Sequence, residues 1–360
     1  VAFYKDMHQT FSDQGFTFLK VDNQLVTEKM ALGTYPIFDM SEKMHEALYQ
    51  SADQYFDGAV VNCMNMTAEA YLNFGNSAVA RAVEDYFPAE PERNSGVGYK
   101  MPYGNAAVHL TMAFYNSLYM QQMVYPDFDM FESSNPDAEF HAVARAINNG
   151  PIYLTDKPGE QNFDLLKKLC YSDGGLIRPA TALTPTADCL FQLQEAKPMK
   201  AFSMDGQVGL LGVWNMADIE KVSGTVSASD IADIAGEDFM VYEYFSKRHW
   251  KISKSEQIDV ELPRMGTKLF FFIPVTHDAA PFGLIDKYNA PGTIVEQSVT
   301  GNSMTVEVAD HGVFSAVVPK SPVSASVDGA STTYNYEDGL ITVKSPAIEV
   351  RKNHKVSVTW

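Results

Sequence analysis

The pattern of apolar and polar positions changes period near the middle of the chain. Up to about residue 182, short apolar runs alternate with stretches whose apolar positions recur at helical spacing. Met7 to Gln14 reads as the end of a helix, with Gly15 as its stop signal. Ser41 reads as the N-cap of the next helix, which turns Met44, Ala47, Leu48, Ala52 and Tyr55 inward. Ala106 to Leu118, Asp137 to Ile147 and Phe163 to Cys170 read as further helices. Between them lie five candidate strands: Phe16 to Gln24, Gly58 to Met64, Ser77 to Ala82, Met123 to Met130 and Pro151 to Asp156. Strands separated by helices of this length predict βα units with parallel strands. Each of these strands ends in polar or charged residues.

From Asp188 onward the pattern is strand after strand. Val208 to Trp214, Met240 to Phe245, Lys268 to Val275, Gly292 to Val299, Ser303 to Val308, Val313 to Val318 and Leu340 to Val343 are the candidates. Asp205-Gly206, Asp328-Gly329 and Asp338-Gly339 supply turns. This half predicts an antiparallel β-sandwich. The expected organisation is a β/α portion over residues 1–182 and a sandwich domain over residues 183–360. Trp214, Trp250 and Trp360 are expected in the core rather than as sugar-stacking surfaces.

Charge and composition narrow the function classes. The chain carries 27 Lys and Arg against 45 Asp and Glu, a net charge of −18 that works against nucleic acid and anionic membrane surfaces as partners. No apolar run is long enough to span a bilayer. Cys63, Cys170 and Cys189 are scattered and odd in number, so they predict neither a disulfide framework nor a zinc site. The eight histidines show no metal-ligand spacing. No metal or organic cofactor is expected. The chain opens at Val1, with no Met and no signal peptide, and reads as beginning inside a fold.

The chemistry sits at strand ends. In Phe16 to Gln24, alternation places Phe16, Phe18, Lys20, Asp22 and Gln24 on one side. Two aromatics leading into a lysine and a carboxylate suit the C-terminal end of a barrel strand, where such barrels keep their active sites. Lys20 puts a cation beside Asp22, which favours the ionised form that a nucleophile needs. An edge strand ending in an ordinary ion pair is the plainer alternative. Arg81 and Asp85 stand four residues apart, close enough for one turn to join them. Here too, a merely paired carboxylate is the plainer alternative. Two carboxylates across a sugar, one nucleophilic and one acidic, are the arrangement of glycoside hydrolysis.

FLKVDNQ, NSAVARAVEDYFP, YPDFDMFESSNPDAEFHAVARAINNGPIYLTDKPG, FDLLKKL and PTADCLF occur in this order, followed by VGLLGVWN and APFGLIDKYN. Together they resemble glycoside hydrolase family 36, in the branch holding raffinose synthases, seed-imbibition proteins and alkaline α-galactosidases. The resemblance implies that Asp22 is the nucleophile and Asp85 the general acid/base. It implies that Lys20, Arg81 and Asp129 hold the sugar, and that Cys63 lines the pocket beside it. Glu84 is a rival acid, and the RxxxD spacing selects Asp85. The resemblance further implies a retaining α-galactosidase, with galactosyl transfer of the raffinose-synthase type or α-N-acetylgalactosaminidase activity as alternatives. A non-catalytic carbohydrate-binding half-barrel is the reading from a different class.

The sequence departs from the family pattern at Phe128 and Tyr119, where the family commonly has Trp, and at Thr155, where it has Ser. A larger departure is length. An eight-stranded barrel takes about 250 residues, and only five βα units are legible here. The fold implied is the C-terminal part of a (β/α)8 TIM barrel, about strands 4 to 8, followed by the antiparallel sandwich. The remaining strands are then expected from the same protein or from a partner chain.

Overall fold

The computed structural model describes residues 2–88, 105–192, 195–217, 219–346 and 350–360. Helix α1 (Ala2–Asp13) leads into strand β1 (Leu19–Val21), helices α2 (Val26–Ala31) and α3 (Ile37–Phe56), strand β2 (Val60–Asn62) and the short helix α4 (Ala68–Tyr71). Then come β3 (Val79–Arg81), α5 (Ala106–Met120), β4 (Tyr125–Asp127) and α6 (Ala138–Ala146). The four strands form one parallel sheet in chain order. Parallel neighbours need a crossover connection, and the helices between the strands supply it. The C-terminal ends of all four strands therefore lie along one rim.

Several local expectations change. Phe16 and Phe18 are 59% and 60% exposed instead of buried. Strand β1 is only three residues long and lies at the sheet's edge, so its buried residue is Leu19 and the preceding aromatics have no sheet face to cover. Ser41 is not an N-cap. Helix α3 begins at Ile37, directly after Pro36 and five residues before the start that a Ser41 cap implies. Ser41 is buried inside it, with its hydroxyl 3.0 Å from His45 Nδ1. In place of a fifth strand, Leu154 makes a single parallel bridge to Phe131. Strand β4 stops early because Asp129 takes a left-handed backbone, φ 66°, which ends the extended run.

From Thr184 onward the named strands pair antiparallel, as expected, but they pack into three cores rather than one. A six-stranded sheet runs through Thr184–Pro185, Met199–Asp205, Val208–Trp214, Thr267–Pro274, Asp238–Glu243 and His249–Ser253. Side chains alternate across it. Phe270 and Phe272 meet the ribbon formed by Lys221–Val226 and Ile258–Pro263, while Leu269 and Phe271 face the core that includes Phe114 of α5 and Phe140 of α6. A sheet apolar on both faces needs cover on both, which is why a second layer is required. The last 80 or so residues form four- and five-stranded sheets around a separate core. Trp214 is fully buried, and its indole N–H donates to the Phe140 carbonyl at 3.0 Å. Trp360 is buried and Trp250 half-buried under Arg248. No helix among the described residues is long and apolar enough to cross a membrane.

Candidate active site

The rim of the parallel sheet gathers the predicted residues. Register places Val21 beside Asn62, Asn62 beside Ala80 and Arg81 beside Asp127. Asp22 and Cys63 follow directly on β1 and β2, Arg81 ends β3, and Asp129 lies two residues beyond β4. Asn62 fixes this spacing. Its amide nitrogen donates to Ser77 Oγ (2.7 Å) and the Val79 carbonyl (3.0 Å), and its oxygen accepts from Gln24 (2.9 Å) and Tyr49 (2.8 Å). All four of its side-chain bonds are thereby used, tying β2 to β3, to the segments flanking β1 and β3, and to α3.

Arg81 is the hub. It is buried, and its guanidinium reaches Asp85 at 2.9 Å, Asp127 at 3.7 Å and Asp129 in a close ion pair. Burial works against its charge, and the carboxylate of Asp129 leads the groups that more than restore it. The Asp85 side chain is 66% exposed and forms the open end of this network. Asp127 is fully buried, and burial raises its carboxyl against the pull of Arg81. Asp129 accepts the Tyr86 N–H at 2.7 Å, and its own N–H donates to Asp127 at 2.8 Å.

Tyr153 was not singled out from the sequence. Its hydroxyl lies 3.0 Å from Asp127 and 3.2 Å from Asp129, donating toward both, and accepts from Lys20 Nζ at 3.3 Å. The same ammonium lies 4.7 Å from the centre of the Tyr153 ring. Burial and the two aspartates push the phenol's pKa up, so it stays a donor. Its one sequence signal is its place in the apolar run PIYLTD. Tyr153 thus ties Lys20, at one end of the sheet, to the carboxylates at the other.

Cys63 is 2% exposed. Burial, opposed by Arg81 and assisted by Asp22, pushes its thiol up to about 11. Iodoacetamide at pH 7.5 should therefore leave Cys63 unmodified in the folded protein and label it after unfolding in urea, because the thiolate is the reactive form. Peptide mass spectrometry reads the difference, and rapid native labelling would contradict the buried placement. The exposed Glu84 accepts a 3.4 Å bond from Asn105. Asp156 is a loop staple, accepting from the Ser133 N–H and hydroxyl and from the Ser134 N–H at 2.8 to 3.1 Å.

A cavity of about 1070 Å³ lies elsewhere, between the Phe163 to Gly174 segment and the loops around Lys247, Asp286 and His311. None of the residues gathered on the rim lines it. The rim is preferred as the site because carboxylates, cations and a phenol converge there. Among the described residues no cluster has the make-up of a metal site.

The sequence pattern of the family described as raffinose synthase or seed imbibition protein Sip1 matches residues 1–345. A probable galactinol–sucrose galactosyltransferase 6 of Arabidopsis thaliana is 28% identical over 397 residues, covering 99% of this chain and 51% of the relative. The chain spans about half the length of the relatives it matches. Among solved structures, a GH27 β-L-arabinopyranosidase from Geobacillus stearothermophilus aligns with a TM-score of 0.54 at 13% identity, over 76% of this chain and 62% of the other. The α-galactosidase I of Mortierella vinacea aligns with a TM-score of 0.51 at 14% identity, over 76% and 72%. At these identities the likeness is one of fold.

Proposed function

The chain belongs to the raffinose synthase and seed imbibition protein Sip1 family, and on that premise we propose that it removes a galactosyl group from an α-galactoside and passes it to a sugar hydroxyl. Water is the competing acceptor. The observation that carries this reading is the convergence of Lys20, Arg81, Asp129 and Tyr153 on one rim beside Asp22 and Asp85. Asp22 attacks the anomeric carbon as the glycosidic C–O bond breaks, and Asp85 gives its proton to the leaving oxygen. Asp85 then takes the proton of the incoming hydroxyl as that oxygen displaces Asp22. Two inversions at one carbon retain the α configuration. The sugar acceptor is favoured over water because a relative aligned over nearly the whole chain is named a galactinol–sucrose galactosyltransferase.

In this reading the parallel strands are the later part of a (β/α)8 barrel. Strand β1 ends the sheet with its outer edge unpaired among the described residues, next to exposed Phe16 and Phe18. An open edge invites pairing. Further barrel strands, from the same protein or a partner chain, are the covering that fits it.

The test compares two donors, a nitrophenyl α-galactoside and galactinol, each with and without sucrose. Free galactose and the trisaccharide are quantified separately. The trisaccharide should grow with sucrose at the expense of galactose. Asp85→Ala should cost about 10²- to 10⁴-fold on galactinol, whose leaving group needs a proton, and far less on the nitrophenyl donor. Glu84→Gln should leave both rates nearly unchanged. Equal loss on both donors in Asp85→Ala would make Asp85 a positioning group, and absence of both products would end the proposal.

A further inference from the structure

Behind the site lies a buried cation that the proposed chemistry does not use. Arg145, near the end of α6, is 2% exposed. Its Nη2 donates to the carbonyls of Phe128 (2.8 Å), Asp129 (3.2 Å) and Met130. Three successive carbonyls thus turn toward one nitrogen. The guanidinium lies near two rings, 5.8 Å from the centre of Tyr86 and 5.3 Å from that of Phe131. No carboxylate forms an ion pair with it among the described residues, and burial lowers its pKa while Asp129 and Asp127 work to raise it.

The partner on its other nitrogen fixes a tautomer. Arg145 Nη1 lies 2.9 Å from His141 Nδ1. A guanidinium can only donate, so Nδ1 accepts and carries no hydrogen. The ring proton therefore sits on Nε2 and donates to the Ala106 carbonyl at 3.2 Å. His141 is fully buried and stacks on Tyr86 with ring centres 4.0 Å apart. Burial and the Arg145 charge hold its pKa well below the ordinary range, so it remains the neutral acceptor this bond requires.

Carbonyls point to one side over three successive residues only if the backbone turns, and the turn is at Asp129, with φ 66°. A non-glycine residue in this region is uncommon, and aspartate is one of the few that tolerates it. The same turn sends the Asp129 carboxylate to Arg81, Tyr153 and the Tyr86 N–H. We propose that Arg145 is a positioning residue for the sugar site: by collecting the carbonyls of residues 128–130 it holds Asp129 in its left-handed turn and aims the carboxylate at the rim. His141 in turn orients Arg145. This rests on the reading that Asp129 contacts the sugar.

The lysine of Arg145→Lys keeps the charge but lacks the second nitrogen for His141 and the planar fork. A carboxylate that binds substrate and transition state alike shows its loss in KM more than in kcat. Arg145→Lys should raise KM for the nitrophenyl donor about 10-fold, with kcat within about threefold of the parent. The decisive measurement is the cycle with Asp129→Asn. If Arg145 acts through Asp129, Arg145→Lys adds nothing to KM once the carboxylate is gone. A merely structural arginine would multiply its effect onto that of Asp129→Asn, and that result would overturn the inference. His141→Gln, which keeps an acceptor for Nη1, takes the same cycle if Arg145→Lys fails to fold. Its expected effect is about threefold in KM. A crystal structure of either folded variant gives a readout independent of turnover. Asp129 still at positive φ, with its contacts to Arg81 and Tyr153 intact, overturns the inference whatever the activity. Asp129 displaced in a protein that turns over no galactoside keeps the inference and ends the proposed function.

Discussion

If Asp22 is the nucleophile proposed above, Asp22→Asn should leave a folded protein that turns over the nitrophenyl galactoside on the order of 10⁴- to 10⁶-fold more slowly. The substitution exchanges one carboxylate oxygen for an amide nitrogen and leaves the shape unchanged. Asp22 is exposed at the end of β1, and its carboxylate accepts the Asn23 N–H at 2.7 Å. An asparagine oxygen accepts that bond as well, so the fold should lose no more than about 0.5 kcal/mol, as exposed positions generally do. The chemistry has no such substitute. An amide oxygen is too weak a nucleophile to form the galactosyl intermediate, and removing Asp22 removes the species that both hydrolysis and transfer share. Galactose and trisaccharide should therefore vanish together in the two-acceptor assay, with thermal melting unchanged. Activity near that of the parent protein would take Asp22 out of the mechanism. A loss confined to the trisaccharide would place it on the acceptor side instead.

Of the residues named from the sequence, Lys20, Asp22, Arg81 and Asp85 carry a local signal, while Asp129 and Cys63 are named only through the family resemblance. KVDNQ joins a strand end to its carboxylate within five residues, and Arg81 and Asp85 are four apart. The structure holds the latter pair together at 2.9 Å. What was not legible is the wiring between these pieces. Tyr153 meets Lys20 across 133 residues of sequence and Asp129 across 24. Nothing in the composition of PIYLTD announces which side chains its tyrosine will find. Arg145 reads as one more polar position on an amphipathic helix, and its burial under three carbonyls depends on a turn 16 residues away. Strand faces failed where strands were short. Alternation over three residues at a sheet edge cannot say which face is covered, and Phe16 and Phe18, on the Lys20 and Asp22 side by alternation, lie exposed. The second half carries one more strand signal of this kind. Ile258-Asp259-Val260-Glu261-Leu262 alternates without fault, with Ile258, Val260 and Leu262 buried, and it forms half of the ribbon that closes one core.

Arg81→Met should destabilise the protein by about 3–5 kcal/mol at pH 7.5, the usual result of breaking a buried pair from one side. Methionine replaces the volume of the arginine stem but none of its charge. Asp127, with no exposed surface, and the nearly buried Asp129 are left facing each other without their shared cation. Tyr153 can donate one hydrogen, which both carboxylates now contest. The pH dependence has a definite sign. Asp127 already has a raised pKa in the folded protein, from burial against the pull of Arg81. Without Arg81 it rises further. A carboxyl raised above its unfolded value, about 3.9, favours the fold when protonated, and that contribution is lost as pH climbs through the folded value. The gap in stability between Arg81→Met and the parent is therefore widest at neutral pH and narrows as acid protonates Asp127 in the variant. Urea melts of both proteins at pH 7.5 and pH 5 measure it, and taking the difference cancels what other groups contribute to acid lability. Arg81→Met combined with Asp127→Asn should recover part of the loss at pH 7.5, since the amide removes the charge that was stranded. A gap equal at both pH values, or wider in acid, would mean that Arg81 acts by packing and that the buried carboxylates do not depend on its charge.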